Sequence, residues 1–329
     1  MLRELSQIIP SLTNIEIFHW TNFSEILKIF KSSKNFKGLS IRAATETEKI
    51  GQSLDLGPLS EILTFQELIF GIHHSDDVSF PFYNDFLGQV QTLTNLTSLT
   101  ISFYGPRDLN KELKLDISSL CLLKVFELEL FYRNYHSPSE LSNQIWLEEI
   151  FRAIGQKSKL KKLLLSFSCF SFSNFGYLFM VLGQSLNGLV NLSSLSLSIT
   201  KSNCIGAEDL CALFLAISKL DRIQDLELRI DEDYDFLPKI FYALIDLVAN
   251  SFPILSSPSL EFGNFYITQE ACRTLTQAIK RKKSLNHVFL LVFGQVEPGV
   301  DLGLLWSEIQ KRISIYIALP SRNWIVTEL

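Results

Sequence analysis

The chain has 329 residues, of which 47% are hydrophobic and 20% charged, with a formal net charge of −5 and a pI near 5.6. Such a composition can bury a large core, and it excludes a disordered or low-complexity chain. The acidic balance argues against a surface built to neutralise many phosphates, so no nucleic-acid partner is expected.

The N-terminal stretch MLRELSQIIPSL has no continuous apolar run behind a basic start, so no secretory signal is expected. No apolar run approaches the roughly 20 residues that span a bilayer, so no membrane insertion is expected either. The cysteines Cys121, Cys169, Cys204, Cys211 and Cys272 are odd in number and widely spaced, without a CxxC pair. They read as reduced thiols of an intracellular, cytoplasmic protein. The sequons at Asn22, Asn95 and Asn191 are then expected to stay unmodified.

Along the chain, the pattern L-x-x-L-x-L, with any large apolar residue at its fixed positions, recurs ten times. Its second and third apolar positions fall at Ile15 and Ile17, Leu39 and Ile41, Leu68 and Phe70, Leu99 and Ile101, and Phe126 and Leu128. They continue at Leu163 and Leu165, Leu195 and Leu197, Leu226 and Leu228, Leu260 and Phe262, and Val288 and Leu290. Successive copies lie 24, 29, 31, 27, 37, 32, 31, 34 and 28 residues apart. A period of about 30 marks a solenoid. Each copy alternates apolar and polar residues at period two, which predicts a short strand with one face buried.

Between copies the period becomes helical. Leu147, Ile150, Phe151 and Ile154 form one stripe at i, i+3, i+4, i+7; Leu210, Leu213, Phe214 and Ile217 form a second, and Ile240, Leu244, Leu247 and Val248 a third. SPSE at 137–140 offers Ser137 as N-cap, Pro138 at the first helical position and Glu140 to close a capping box. KRKK at 280–283 reads as the solvated end of a helix, with cations near its negative pole. One strand–helix unit cannot bury its own inner face, so the units must stack, with a parallel sheet inside and helices outside.

These residues carry a resemblance to leucine-rich-repeat proteins of the ribonuclease-inhibitor-like class. The nearest match is LEFGNFYITQEACRTLTQAIKRKKSLNHVFL at 260–290, with Ile267, Ala271, Leu275 and Ile279 in the family's order. The resemblance implies an α/β horseshoe of about ten irregular repeats over residues 1–293, and a binding scaffold rather than an enzyme. The family places an Asn three residues after the third strand leucine; this chain has Trp20, Ala44, His73, Tyr104, Phe131, Ser168, Thr200, Asp231, Phe265 and Phe293 there. Of these, Ser168, Thr200 and Asp231 can make similar hydrogen bonds. Elsewhere aromatic packing is expected to hold the turn, with irregular curvature between the fifth and sixth copies.

The strand residues that flank the inward pair form an expected concave floor, rich in hydroxyls and acids. Its candidate protein-binding residues are Glu127, Glu129, Ser196, Asp225, Glu227 and Glu261. The segment 294–329, comprising the helix-like stretch 301–313, a strand and a tail, is expected to cap the solenoid within the same domain. An alternative docking surface at this end comprises Phe289, Leu291 and Trp324.

Chemistry finds little support. HHSDD at 73–77 has ligand residue types without matching ligands at fixed spacing. DEDYD at 231–235 opens like a calcium loop, but Phe236 stands where glycine is required and Tyr242 where a bidentate Glu should be. No Walker, G-x-S-x-G or dinucleotide motif occurs. The expectation is a non-enzymatic scaffold with no cofactor, no metal and no small-molecule substrate, binding a protein partner within a larger assembly. The alternatives are a ubiquitin-ligase substrate receptor and a GTPase-activating or other catalytic regulator. The first copy begins near residue 12, which leaves no room ahead of it for an F-box, and no acidic tail follows the repeats.

Overall fold

A computed structural model describes residues 13–17, 35–44, 57–73, 80–105, 115–132, 145–168, 175–200, 207–231, 242–243, 245–247, 257–281, 289–296, 314–318 and 324–326. Trp20, the SPSE segment and the stretch 301–313 lie outside these residues. The chain divides into two compact units, Met1–Lys162 and Leu163–Leu329.

The first unit contains β1 (Asn14–Ile17), β2 (Gly38–Ala44), α1 (Gly57–Ser60), β3 (Glu67–His73), α2 (Phe80–Val90), β4 (Ser98–Gly105), β5 (Val125–Tyr132) and α3 (Ile145–Gly155). Its strands pair in parallel and in chain order, so each crossover must return the chain to the same end of the sheet. The apolar pairs stand in register: Leu39 beside Leu68, Leu68 beside Leu99 and Leu99 beside Phe126, with Ile41, Phe70, Ile101 and Leu128 one step on. All are buried. Phe70 anchors the layer behind them, stacked on Phe86 of α2 and edge-on to Phe103.

The second unit begins within β6 (Lys162–Ser168) and continues with α4 (Phe175–Leu186), β7 (Ser194–Thr200), α5 (Ala207–Ile217), β8 (Asp225–Asp231), β9 (Ser257–Ile267), α6 (Gln269–Arg281), β10 (Phe289–Val296), β11 (Ser314–Ala318) and β12 (Trp324–Val326). Strands β7 to β11 pair in parallel, and β12 turns back antiparallel on β11. The predicted stripe Leu210, Leu213, Phe214 and Ile217 is buried on α5. In the first unit, Leu147, Ile150, Phe151 and Ile154 are buried in the same way on α3. Gly183 lets α4 approach α5: a Cβ at that position would lie 2.7 Å from the Cβ of Ala216.

Ahead of many strands the chain makes consecutive i→i+3 turns that bury an apolar residue at every third position. Val90, Leu93 and Leu96 lead into Leu99, closed by the amides of Leu93 and Leu96 donating to the carbonyls of Val90 and Leu93 at 3.0 Å each. Leu186, Leu189 and Leu192 lead into Leu195 likewise. One such position carries Lys157 instead. Only 5% of it is exposed, and its ammonium donates to the carbonyl of Ser118 at 2.8 Å. Just beyond the turns, the amides of Lys37, Gln66, Thr97 and Lys124 each donate to a carbonyl of the preceding rung at 2.8 Å. Both units are therefore built from repeated α/β rungs with parallel strands.

The register departs from the sequence reading at β9. Leu226 faces Pro258, not Leu260, and Leu228 faces Leu260. Leu260 then faces Leu290 rather than Val288. A bulge follows, between Val292 and Gly294. Each shift is two residues, which keeps the apolar positions on the same face.

Candidate functional site

The polar face of the sheet is organised by bonds between neighbouring strands. In the first unit Thr100 and Ser102 of β4 stand opposite Glu127 and Glu129 of β5. Their hydroxyls donate to Glu127 Oε2 at 3.0 Å and Glu129 Oε2 at 2.7 Å. Lys162 adds an ion pair to Glu127 Oε1 at 2.6 Å. A short hydroxyl side chain leaves room for a neighbouring glutamate to lean across the strand spacing, so this pairing follows from placing Ser or Thr beside Glu.

The second unit uses the same device. Ser196 of β7 faces Glu227 of β8, and its hydroxyl donates to Oε2 at 2.8 Å. Ser196 is 9% exposed, so it is a buried member of the pair rather than open floor. The two-residue shift at β9 moves Glu261 out of line with Glu227 and places it beside Arg229, which pairs with it at 3.4 Å. Asp225 lies beside Ser194 and is exposed.

At the strand end, Thr200 Oγ1 donates to Ser168 Oγ at 2.8 Å, so two of the three residues expected to replace the family's asparagine do bond to each other. Phe131, the aromatic at the equivalent place in β5, leaves 43% of its surface exposed.

The alternative docking residues are placed by backbone register. Phe289 shares a row with Ser259 and Ser314, and Leu291 with Glu261 and Tyr316. Trp324 pairs with Ala318 and so occupies a different row from either.

A further arrangement lies at the first three strands. Asn14, Gly38 and Glu67 occupy one row across β1, β2 and β3. They line a cleft of about 320 Å³ together with Glu16, Ser40, Arg42 and Ile69. A Cβ on Gly38 would lie 2.8 Å from Asn14 Oδ1 and 3.2 Å from Glu67 Oε2. Arg42 is held by Glu16 at 3.2 Å. The Ser40 hydroxyl is buried and has no hydrogen-bond partner. The aligned repeats place Asn14, Gly38 and Glu67 in one row, one residue ahead of Ile15, Leu39 and Leu68, but the sequence does not show that their side chains border a cleft.

Away from the strand face, burial holds the Lys157 ammonium below its ordinary pKa. The hydroxyl and amide of Ser118 hold the Asp116 carboxyl below its own. Burial pushes the Cys272 thiol up to about 11. Cys121, Cys211 and Cys272 are free thiols. Among the described residues, no group of three or more His, Cys, Asp and Glu is placed to hold a metal. No described helix is long and apolar enough to cross a membrane.

No family model matches the chain. No curated protein matches it either. Among solved structures, it is similar to a crystallised Bacteroides fragilis protein at 14% sequence identity and a TM-score of 0.40, over 94% of this chain and 74% of that one.

Proposed function

We infer that this chain is a leucine-rich-repeat scaffold of the ribonuclease-inhibitor-like class, non-enzymatic, and that it binds a protein partner through the polar strand faces of its units. The observation that carries this reading is the set of hydroxyl–carboxylate pairs Thr100–Glu127, Ser102–Glu129 and Ser196–Glu227. A glutamate tied to its neighbour loses little further rotamer freedom on binding, so a face built this way is preorganised for contact. The carboxylates also give it an acidic character that suits a basic partner and speeds encounter.

The reading assigns no catalytic step. The paired carboxylates use their hydrogen-bonding capacity on adjacent strands rather than converging on a common reacting atom.

Affinity purification of the full chain from its native cell, followed by mass spectrometry, tests the proposal. A stable set of co-purifying proteins lost on reversing Glu227 and Glu261 to lysine supports it. Recovery of the chain alone, or turnover of a small molecule by the isolated protein, would overturn it.

A further inference from the structure

The cleft across β1, β2 and β3 holds a carboxylate whose charge no described neighbour answers. Glu127, Glu129, Glu227 and Glu261 each have a hydroxyl or a cation bound to them. Glu16 has Arg42. Glu67 has neither among the described residues, and Asn14 beside it is likewise without a hydrogen-bond partner there. With Arg42 already occupied by Glu16, the cleft carries one uncompensated negative charge.

Its geometry is set by Gly38. Because this position has no side chain, Asn14 from one side and Glu67 from the other lean over the same point, their oxygens 2.8 and 3.2 Å from where a Cβ would sit. Both oxygens border the space that the missing side chain leaves, so a donor placed there can be met from both sides. The buried Ser40 hydroxyl, two residues on from Gly38 and beside Ile69, supplies a third unmet polar group, and Ile69 supplies an apolar wall.

We propose that this cleft is a docking pocket for an arginine side chain of the partner protein. The inference rests on the protein-binding reading above and adds the chemistry of one contact. A volume of about 320 Å³ stands at the lower end of ligand pockets, so it suits a side chain better than a cofactor. A guanidinium presents N–H donors in a fixed planar fork, which can reach Asn14 Oδ1 and Glu67 Oε2 together while its charge offsets the carboxylate. A lysine ammonium is a single strongly hydrated point and answers the paired acceptors less well. The aliphatic stem of the arginine lies against Ile69.

The test uses N-acetyl-arginine N-methylamide, with its lysine and citrulline analogues, titrated into the full chain and followed by saturation-transfer NMR. Citrulline keeps the shape of arginine without its charge. The arginine probe is expected to bind saturably, with the lysine analogue weaker and the citrulline analogue not binding. Glu67→Gln and Gly38→Ala are each expected to weaken the arginine probe by about tenfold or more, and Glu149→Gln, exposed on α3 away from the strand face, to leave it unchanged. The methyl introduced by Gly38→Ala would meet only side-chain atoms, those of Asn14 and the Glu67 carboxylate, which can move aside, so folding is expected to survive. If it does not, the isosteric Glu67→Gln variant and the citrulline comparison decide the matter. Absence of saturable binding, equal affinity in Glu67→Gln, or lysine binding as tightly as arginine would each overturn the proposal. Partner capture that persists in Glu67→Gln but is lost on reversing Glu227 and Glu261 would remove this pocket and leave the wider strand-face reading standing.

Discussion

The Ser196 hydroxyl lies 2.8 Å from Glu227 Oε2, bridging two parallel strands on a face where an isolated strand would leave both side chains in water. The next residue towards the N-terminus, Leu195, points the other way and is buried at 2% exposure. Ser196→Ala is therefore expected to cost about 1 kcal/mol, because it breaks a bond to a charged group that is still partly solvated. Leu195→Ala should cost about 2–5 kcal/mol by emptying a core position. Urea unfolding of Ser196→Ala, Glu227→Ala, the double variant and Leu195→Ala checks this. A coupling near zero between Ser196 and Glu227 would deny the bridge.

Reversal of Glu127, Glu227 and Glu261 to lysine is expected to weaken partner binding; it also breaks their bonds to Thr100, Lys162, Ser196 and Arg229, so binding is compared among variants whose thermal melts show them folded. The loss should shrink as salt rises, because exposed charges are screened over about 8 Å at physiological ionic strength. Calorimetry at two salt concentrations reads both effects. Deleting residues 320–329 tests the rival surface: binding lost on deletion but indifferent to the reversals would assign the contact to the tail.

Lys157 predicts a pH dependence with a definite sign. Burial lowers its folded pKa below the ordinary 10.5, so the unfolded chain binds more protons between those two values. Stability relative to Lys157→Met should accordingly rise with pH across that window, and the difference should be constant below it. Chemical denaturation at neutral and alkaline pH measures the slope; a fall with pH would contradict the burial of the ammonium.

Gly183→Ala sets two effects against each other. Alanine gains about 1 kcal/mol of helix propensity over glycine. Its methyl, however, would lie 2.7 Å from the Ala216 Cβ, which has no flexible end to move aside. Overpacking of this kind costs about 1–3 kcal/mol, so net destabilisation is expected. Gly183→Ala combined with Ala216→Gly should recover most of the loss in a thermal melt.

The rungs were legible in the sequence where the apolar pair and the spacing agreed, as at Leu39, Leu68, Leu99 and Phe126, because a one-residue slip there would turn the core face to water. At β9 the pattern could not choose. A two-residue slip leaves Leu260 and Phe262 on the same face, so hydrophobicity alone does not reveal that Pro258 stands beside Leu226. Lys157 was hidden for a different reason: its sequence neighbours are polar, and its burial follows from the turn that carries it. The acidic residues of the candidate site were visible, and the aligned repeats set Ser196 beside Glu227; the pairing of Glu261 with Arg229 was hidden by the register shift at β9.

The reversed strand β12 has a consequence for how such an array can change in length. A parallel ladder offers every new rung the same edge that the previous rung offered, so a duplicated segment can dock wherever the registers are interchangeable, as between β7 and β8. β12 pairs with β11 in the opposite sense, Ile325 against Ile317 and Trp324 against Ala318. A rung copied in behind it in the direction of the others would have to pair antiparallel with β12, which breaks the pattern of the earlier rungs. Tandem duplication that keeps the parallel pairing intact is therefore accommodated among the rungs ahead of this strand.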